Sequence, residues 1–155
     1  MEVTCPEGAI LADKRDELMD NLTTSLLSAE GAPDTEFFRN ITWIYVNELP
    51  AKGILANGRP LNEPTVKVEV TTPKGALSDR RRKLLVNDLT ANVRQATGIE
   101  DAMRIWILCR EIDEGSWGAG GNVVEFEALR AAAKQERESA GTASIESVAP
   151  ASATA

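Results

Sequence analysis

Glu2-Val3-Thr4-Cys5-Pro6-Glu7-Gly8-Ala9-Ile10 is matched later in the chain by Glu69-Val70-Thr71-Thr72-Pro73-Lys74-Gly75-Ala76-Leu77, each pair 67 residues apart. The register runs on beyond this stretch: Leu18, Leu22 and Leu26 fall on Leu85, Leu89 and Val93, and Gly31 falls on Gly98. A second match sets Ile41-Thr42-Trp43-Ile44 with Glu48 on Arg104-Ile105-Trp106-Ile107 with Glu111, now 63 apart. The first copy therefore carries four extra residues, around Pro33 to Arg39. One supersecondary unit is written twice.

Each copy reads as strand, helix, strand and a small hairpin. In the first, a strand over 1–5 ends in a turn at Pro6 and Gly8, Asp13 is placed to cap a helix, and the β-branched and aromatic run 41–46 is a strand. Two Pro and two Gly between residues 49 and 60 mark an irregular connection or a short hairpin. In the second, a strand over 65–72 leads to a helix capped by Ser78 or Asp79 and running to about residue 97. A strand over 104–109, a glycine-rich turn over 115–121 and a strand over 123–126 follow. Leucines every four residues give each helix one apolar stripe that a flat surface must cover. The right-handed crossover rule makes the two main strands of each copy parallel. The fold class is therefore α/β: a tandem β-α-β repeat, with a four-stranded sheet and two helices on one face.

The expected domain spans 1–127, with repeat one at 1–61 and repeat two at 62–127. Residues 128–155 are expected to form a short helix and then, from 139, a disordered tail rich in Ala and Ser. Such a segment buries too little apolar surface to offset its ordering entropy.

Composition narrows the function. Of 155 residues, 17 are Lys or Arg and 24 are Asp or Glu, and a net charge of −7 disfavours a phosphate backbone as partner. No stretch approaches the apolar length of a membrane helix and the start carries no leader pattern, so a cytoplasmic protein without membrane or nucleic-acid partners is expected. Cys5 and Cys109 read as small buried residues. With no histidine present, metal clusters and Ser-His or Cys-His nucleophiles find no support. Trp43 and Trp106 read as core residues.

A doubled β-α-β unit with Pro-x-Gly-Ala-[Ile/Leu] at each helix entrance, a strand ending in Glu, and Trp117-Gly118-Ala119-Gly120-Gly121 resembles the tautomerase superfamily. Within it, the likeness is to fused members of the 4-oxalocrotonate tautomerase group. The resemblance implies the tautomerase/MIF-like fold, a homotrimer and a cofactor-free isomerase that converts enols of 2-oxo acids to their keto forms. In that family an amino-terminal proline is the general base, arginines hold the substrate carboxylate and an aromatic residue in the late turn keeps the site dry.

Carried over residue by residue, the resemblance makes Arg39, Arg104 and Trp117 the expected substrate-binding residues for a small 2-oxo acid or enol. The catalytic proline has no counterpart in this numbering. Only the Met1 amine stands near it, by position, about 10 Å short of it at strand spacing. The catalytic group is thus unassigned, and a short amino-terminal extension that begins with a terminal proline is expected to give a faster tautomerase. The alternative is a catalytically impaired relative that binds a small carboxylate or a partner chain.

Overall fold

The structure, a computed structural model, describes residues 1–50 and 52–146 and divides into two units, Met1–Asp113 and Glu114–Ala155. In the first unit, strand β1 (Glu2–Pro6) turns Val3 and Cys5 inward. Strand β5 (Val66–Pro73) does the same with Val66, Val68, Val70 and Thr72. This period of two leaves Thr4, Lys67 and Glu69 on the opposite face. Strands β2 (Tyr45–Leu49) and β6 (Ile105–Ile112) flank them in the order β2-β1-β5-β6.

Both repeat offsets reappear in the hydrogen-bond register. Glu2 lies beside Tyr45 and Pro6 beside Leu49 in the parallel pair β1/β2, while Glu69 lies beside Leu108 and Pro73 beside Ile112 in β5/β6. Between the repeats, β1 and β5 run antiparallel with Glu2 opposite Glu69, so equivalent residues meet on a local twofold axis. The same axis passes between the helices, where the Asn92 amide donates to the Ser25 hydroxyl at 3.0 Å across the 67-residue offset.

Helices α1 (Arg15–Glu30) and α3 (Asp79–Thr97) both lie on the inward face. Leu18, Leu22, Leu26, Leu85, Leu89 and Val93 join Val3, Cys5, Val66, Val68 and Val70 in one core, as the leucine spacing requires. Gly31 and Gly98 close the helices in the left-handed region, at φ 72° and 70°. Ser78 caps α3 by accepting the Arg81 N–H. Asp13 does not cap α1: it lies inside a 3-10 turn (Ala12–Lys14), and Lys14 occupies the cap position without a side-chain bond.

The expected strand over 41–46 is displaced. The four extra residues of repeat one build a helix, α2 (Glu36–Ile41), where repeat two has only a 3-10 turn (Ala102–Arg104). Burial of Phe38, whose carbonyl accepts the Thr42 hydroxyl at 2.8 Å, outweighs the β preference of the run. Nor are the tryptophans core residues: Trp43 is 66% and Trp106 63% exposed. Ile105 and Ile107 on β6 take the inward positions, which leaves Trp106 to face outward. The connection after β2 is the expected short hairpin, β3 (Leu55–Ala56) and β4 (Arg59–Pro60), turned by Asn57 and Gly58 at positive φ.

The second unit begins with a hairpin, β7 (Gly118–Ala119) and β8 (Asn122–Val123), followed by helix α4 (Phe126–Glu146). Phe126 thus opens a helix rather than ending a strand, and its N–H is capped by the Glu114 carboxylate at 2.9 Å. The helix also runs eight residues past the expected start of the tail, propagating from the run 127–138, whose alanines and long charged side chains are good helix formers. The rest of that tail, 147–155, lies outside the described residues.

Leu22 and Leu89 are fully buried at equivalent places in the two stripes. Leu22→Ala and Leu89→Ala should each destabilise the protein by about 2 to 5 kcal/mol in chemical denaturation. A neutral result at either site would contradict the paired packing.

Candidate functional site

The twofold axis sends the starts of β1 and β5 toward opposite ends of the sheet, so each repeat has its own candidate site. At the repeat-one end, the Met1 amine donates to the Trp43 carbonyl at 2.6 Å, and the Met1 carbonyl accepts the Tyr45 N–H at 3.0 Å. These bonds pin the amine between β1 and the entry to β2. Burial lowers its pKa below the ordinary 8.0, while the charges of Glu2 and Glu30 pull weakly the other way.

Glu30 is the last residue of α1. Burial pushes its carboxyl from the ordinary 4.5 up to about 7, and the Met1 ammonium offsets that only in part. The aligned carbonyls at a helix C-terminus also disfavour negative charge there. An amine and a carboxyl, both displaced toward neutrality by burial, thus belong to the repeat-one end, and each senses the other's charge.

At the repeat-two end lies a cleft of about 360 Å³ lined by Glu63, Pro64, Thr97, Gly98, Asp101 and Arg104 among others. Arg104 is paired to the Glu63 carboxylate at 2.7 Å and stands 4.0 Å from Asp101, and its Nε makes no hydrogen bond. Thr97 is the counterpart of Glu30 by the 67-residue offset, and its hydroxyl is spent on the Val93 carbonyl. The two ends therefore differ in chemistry: an amine and an acid at one, a guanidinium among carboxylates at the other.

The residues expected to bind substrate are not gathered in one place. Arg104 lines the repeat-two cleft, away from Met1. Arg39 is held by the Asp34 carboxylate, by Asp20 at 2.7 Å and by the Thr24 hydroxyl at 2.8 Å, and these bonds tie α2 and the loop before it to α1. The same guanidinium keeps the Asp34 carboxyl below its usual range. Trp117 belongs to the second unit, half-buried just before β7, with its carbonyl accepting the Val124 N–H. Sequence reasoning missed Glu30 and the Trp43 carbonyl. For Glu30 there was one signal, an acidic residue directly before the glycine that ends a helix, where a basic one is favoured.

Residues 64–127 match the Tautomerase family, described as tautomerase enzyme. Among solved structures, Pt0534 inactivated by 2-oxo-3-pentynoate superposes with a TM-score of 0.67 at 20% identity, covering 83% of this chain and 97% of its own. A fused 4-OT solved as an asymmetric trimer gives 0.62 at 22% identity, covering 79% and 93%. Macrophage migration inhibitory factor of Toxoplasma gondii gives 0.62 at 15%, covering 79% and 97%. No curated protein sequence matches the chain significantly. The fold is that of the tautomerase superfamily, and the second repeat carries its sequence pattern.

The raised Glu30 pKa has a signed consequence for stability. Between its unfolded value near 4.5 and its folded value of about 7, the native state binds more protons than the unfolded chain, so this carboxyl lowers stability as pH rises through that window. Glu30→Gln removes the effect. Its melting temperature relative to the wild type should climb between about pH 4 and about pH 8 and then level off. A difference independent of pH would place Glu30 in solvent.

Proposed function

We propose that this tautomerase-like chain ketonises the enol of a small 2-oxo acid without a cofactor, its base being unassigned and the Met1 amine standing near the place of that base by position only. What supports this reading is the family pattern matched by residues 64–127, together with the cleft beside Arg104 in the same repeat. A base that works near neutrality needs a pKa near the operating pH, and burial moves an α-amine in that direction.

Arg104 is the proposed anchor for the substrate carboxylate, since it lines the repeat-two cleft. Arg39 is less suited, because a substrate would have to displace two carboxylates from it. Arg104 and Met1 lie at opposite ends of one sheet, so they serve one site only if a neighbouring copy brings them together. A homotrimer fits this requirement, and a fused 4-OT of the same fold is described as a trimer. Trp117 is proposed to shield the site. The domain assignment 1–127 and a cytoplasmic location belong to the same proposal.

The rival reading, a non-catalytic binder of small carboxylates, draws on a specific observation: Arg39 and Arg104 are both already paired with the chain's own carboxylates.

Ketonisation of phenylenolpyruvate separates the two, using a chain shown by intact mass to begin at Met1. Acceleration is expected, and a Gly-Ser extension that displaces the amine should reduce kcat by about 10²- to 10⁴-fold. An extension of Pro and two apolar residues should instead raise it. Arg104→Ala should raise KM about tenfold, the loss of one charge-assisted bond. A rate unchanged by the Gly-Ser extension would remove the amine as base, and no acceleration at all would favour the binder.

A further inference from the structure

We infer that Glu63 is a built-in competitor for Arg104: its carboxylate holds the position that a ligand carboxylate takes, so the repeat-two cleft admits a small monocarboxylate only in exchange for Glu63. This inference rests on Arg104 as the substrate anchor of the functional reading above. The cleft of about 360 Å³ is within the size range of small-molecule sites. Among the described residues, Arg104 is the one cationic side chain on its wall, beside Glu63, Glu100 and Asp101.

Glu63 meets the guanidinium as an anionic ligand does. Its carboxylate lies 2.7 Å from Nη2, and its main-chain carbonyl accepts from Nη1 at 3.5 Å. The outer edge of the guanidinium, where two parallel N–H groups suit a carboxylate, is therefore already taken. Nε offers no alternative, being buried and without a partner. A ligand carboxylate thus reaches Arg104 by displacing the Glu63 carboxylate from Nη2.

Of the groups around Arg104, Glu63 is the one free to leave. Asp101 stands 4.0 Å from Nε, and its other carboxylate oxygen accepts the Met103 N–H at 2.9 Å, capping the 3-10 turn that carries Arg104. The Glu63 side chain is 64% exposed, in the segment between β4 and β5 that belongs to no helix or strand. Pro64 favours an extended backbone at Glu63, so the side chain swings aside without refolding the segment. An ion pair this exposed contributes little, and a ligand of modest affinity can replace it.

The same wall sets the class of ligand. A displaced Glu63 still stands with Glu100 and Asp101 around a single guanidinium, in a chain of net charge −7. A second carboxylate on the ligand meets these like charges, whereas one carboxylate with a neutral remainder does not.

The test is calorimetric titration of the full chain with hexanoate and adipate, unreactive acids of equal chain length that differ in one carboxylate. Hexanoate should bind the wild type more tightly than adipate does. Glu63→Gln should tighten hexanoate about two- to fivefold, the range of one exposed ion pair. Glu100→Gln, which removes the same charge without freeing Arg104, should change it less. In an Arg104→Ala background, Glu63→Gln should have no effect. With phenylenolpyruvate, Glu63→Gln should lower KM by the same factor, with the change confined to KM, as expected when ground state and transition state gain equally. Hexanoate affinity that is equal, or absent, in the wild type and Glu63→Gln overturns this inference, as does a gain that survives Arg104→Ala or a preference for adipate. The expected binding pattern without ketonisation by any variant overturns the functional reading alone and leaves Glu63 in this role.

Discussion

The antiparallel pairing of β1 with β5 is the constraint on which the first unit depends. It joins two β-α-β repeats into one sheet, puts α1 and α3 side by side on one face, and sends equivalent sites to opposite ends. It also sets Glu2 directly opposite Glu69, and like charges across a sheet are destabilising. Glu69 is relieved by Lys67 on its own strand and by Arg110 at 2.6 Å from β6, which together hold its carboxyl below the usual range. Glu2 has solvent on its side. The duplication is therefore stable at its seam because only one of the two facing carboxylates is left to be neutralised by the protein.

From that seam outward the repeats have diverged. Repeat one spends its four extra residues on α2 and ties them down through Arg39, while repeat two turns directly through Ala102–Arg104 and leaves a cleft beside Arg104. The helix ends match in backbone, with Gly31 and Gly98 both left-handed, yet the preceding residue is a half-buried acid in one and a satisfied hydroxyl in the other. A shared scaffold thus carries unlike chemistry at its two ends.

The sheet face away from the helices is unusual for a chain standing alone. Trp43, Tyr45, Trp106 and Leu108 are exposed large apolar side chains, placed at the two outer strands, with the Lys67, Glu69 and Arg110 charges between them. Each indole N–H bonds to the carbonyl three residues before it, Asn40 for Trp43 and Met103 for Trp106, so the rings are held in place rather than folded inward. Exposed apolar surface on this scale marks a face meant to be covered.

How much of this was legible beforehand follows from the range of the interactions involved. The repeat, its two offsets, the leucine stripes and the α/β class could be read directly, because a period of two or of about 3.6 is a local property of the chain. The residue that separates the two sites could not. Glu30 has the composition of any solvated helix end, and only packing reveals that it is desolvated and that an amine 29 positions earlier is its electrostatic neighbour. The reading of Trp43 and Trp106 as core failed for the same reason, since the side of the sheet that the helices cover decides which aromatic residues are core, and the partners that α1 brings to Arg39 were likewise out of reach of the sequence. By itself the sequence determined the repeated unit and its register. Only the tertiary structure decided which end of each repeat lost water, because desolvation is a sum over neighbours that are distant along the chain.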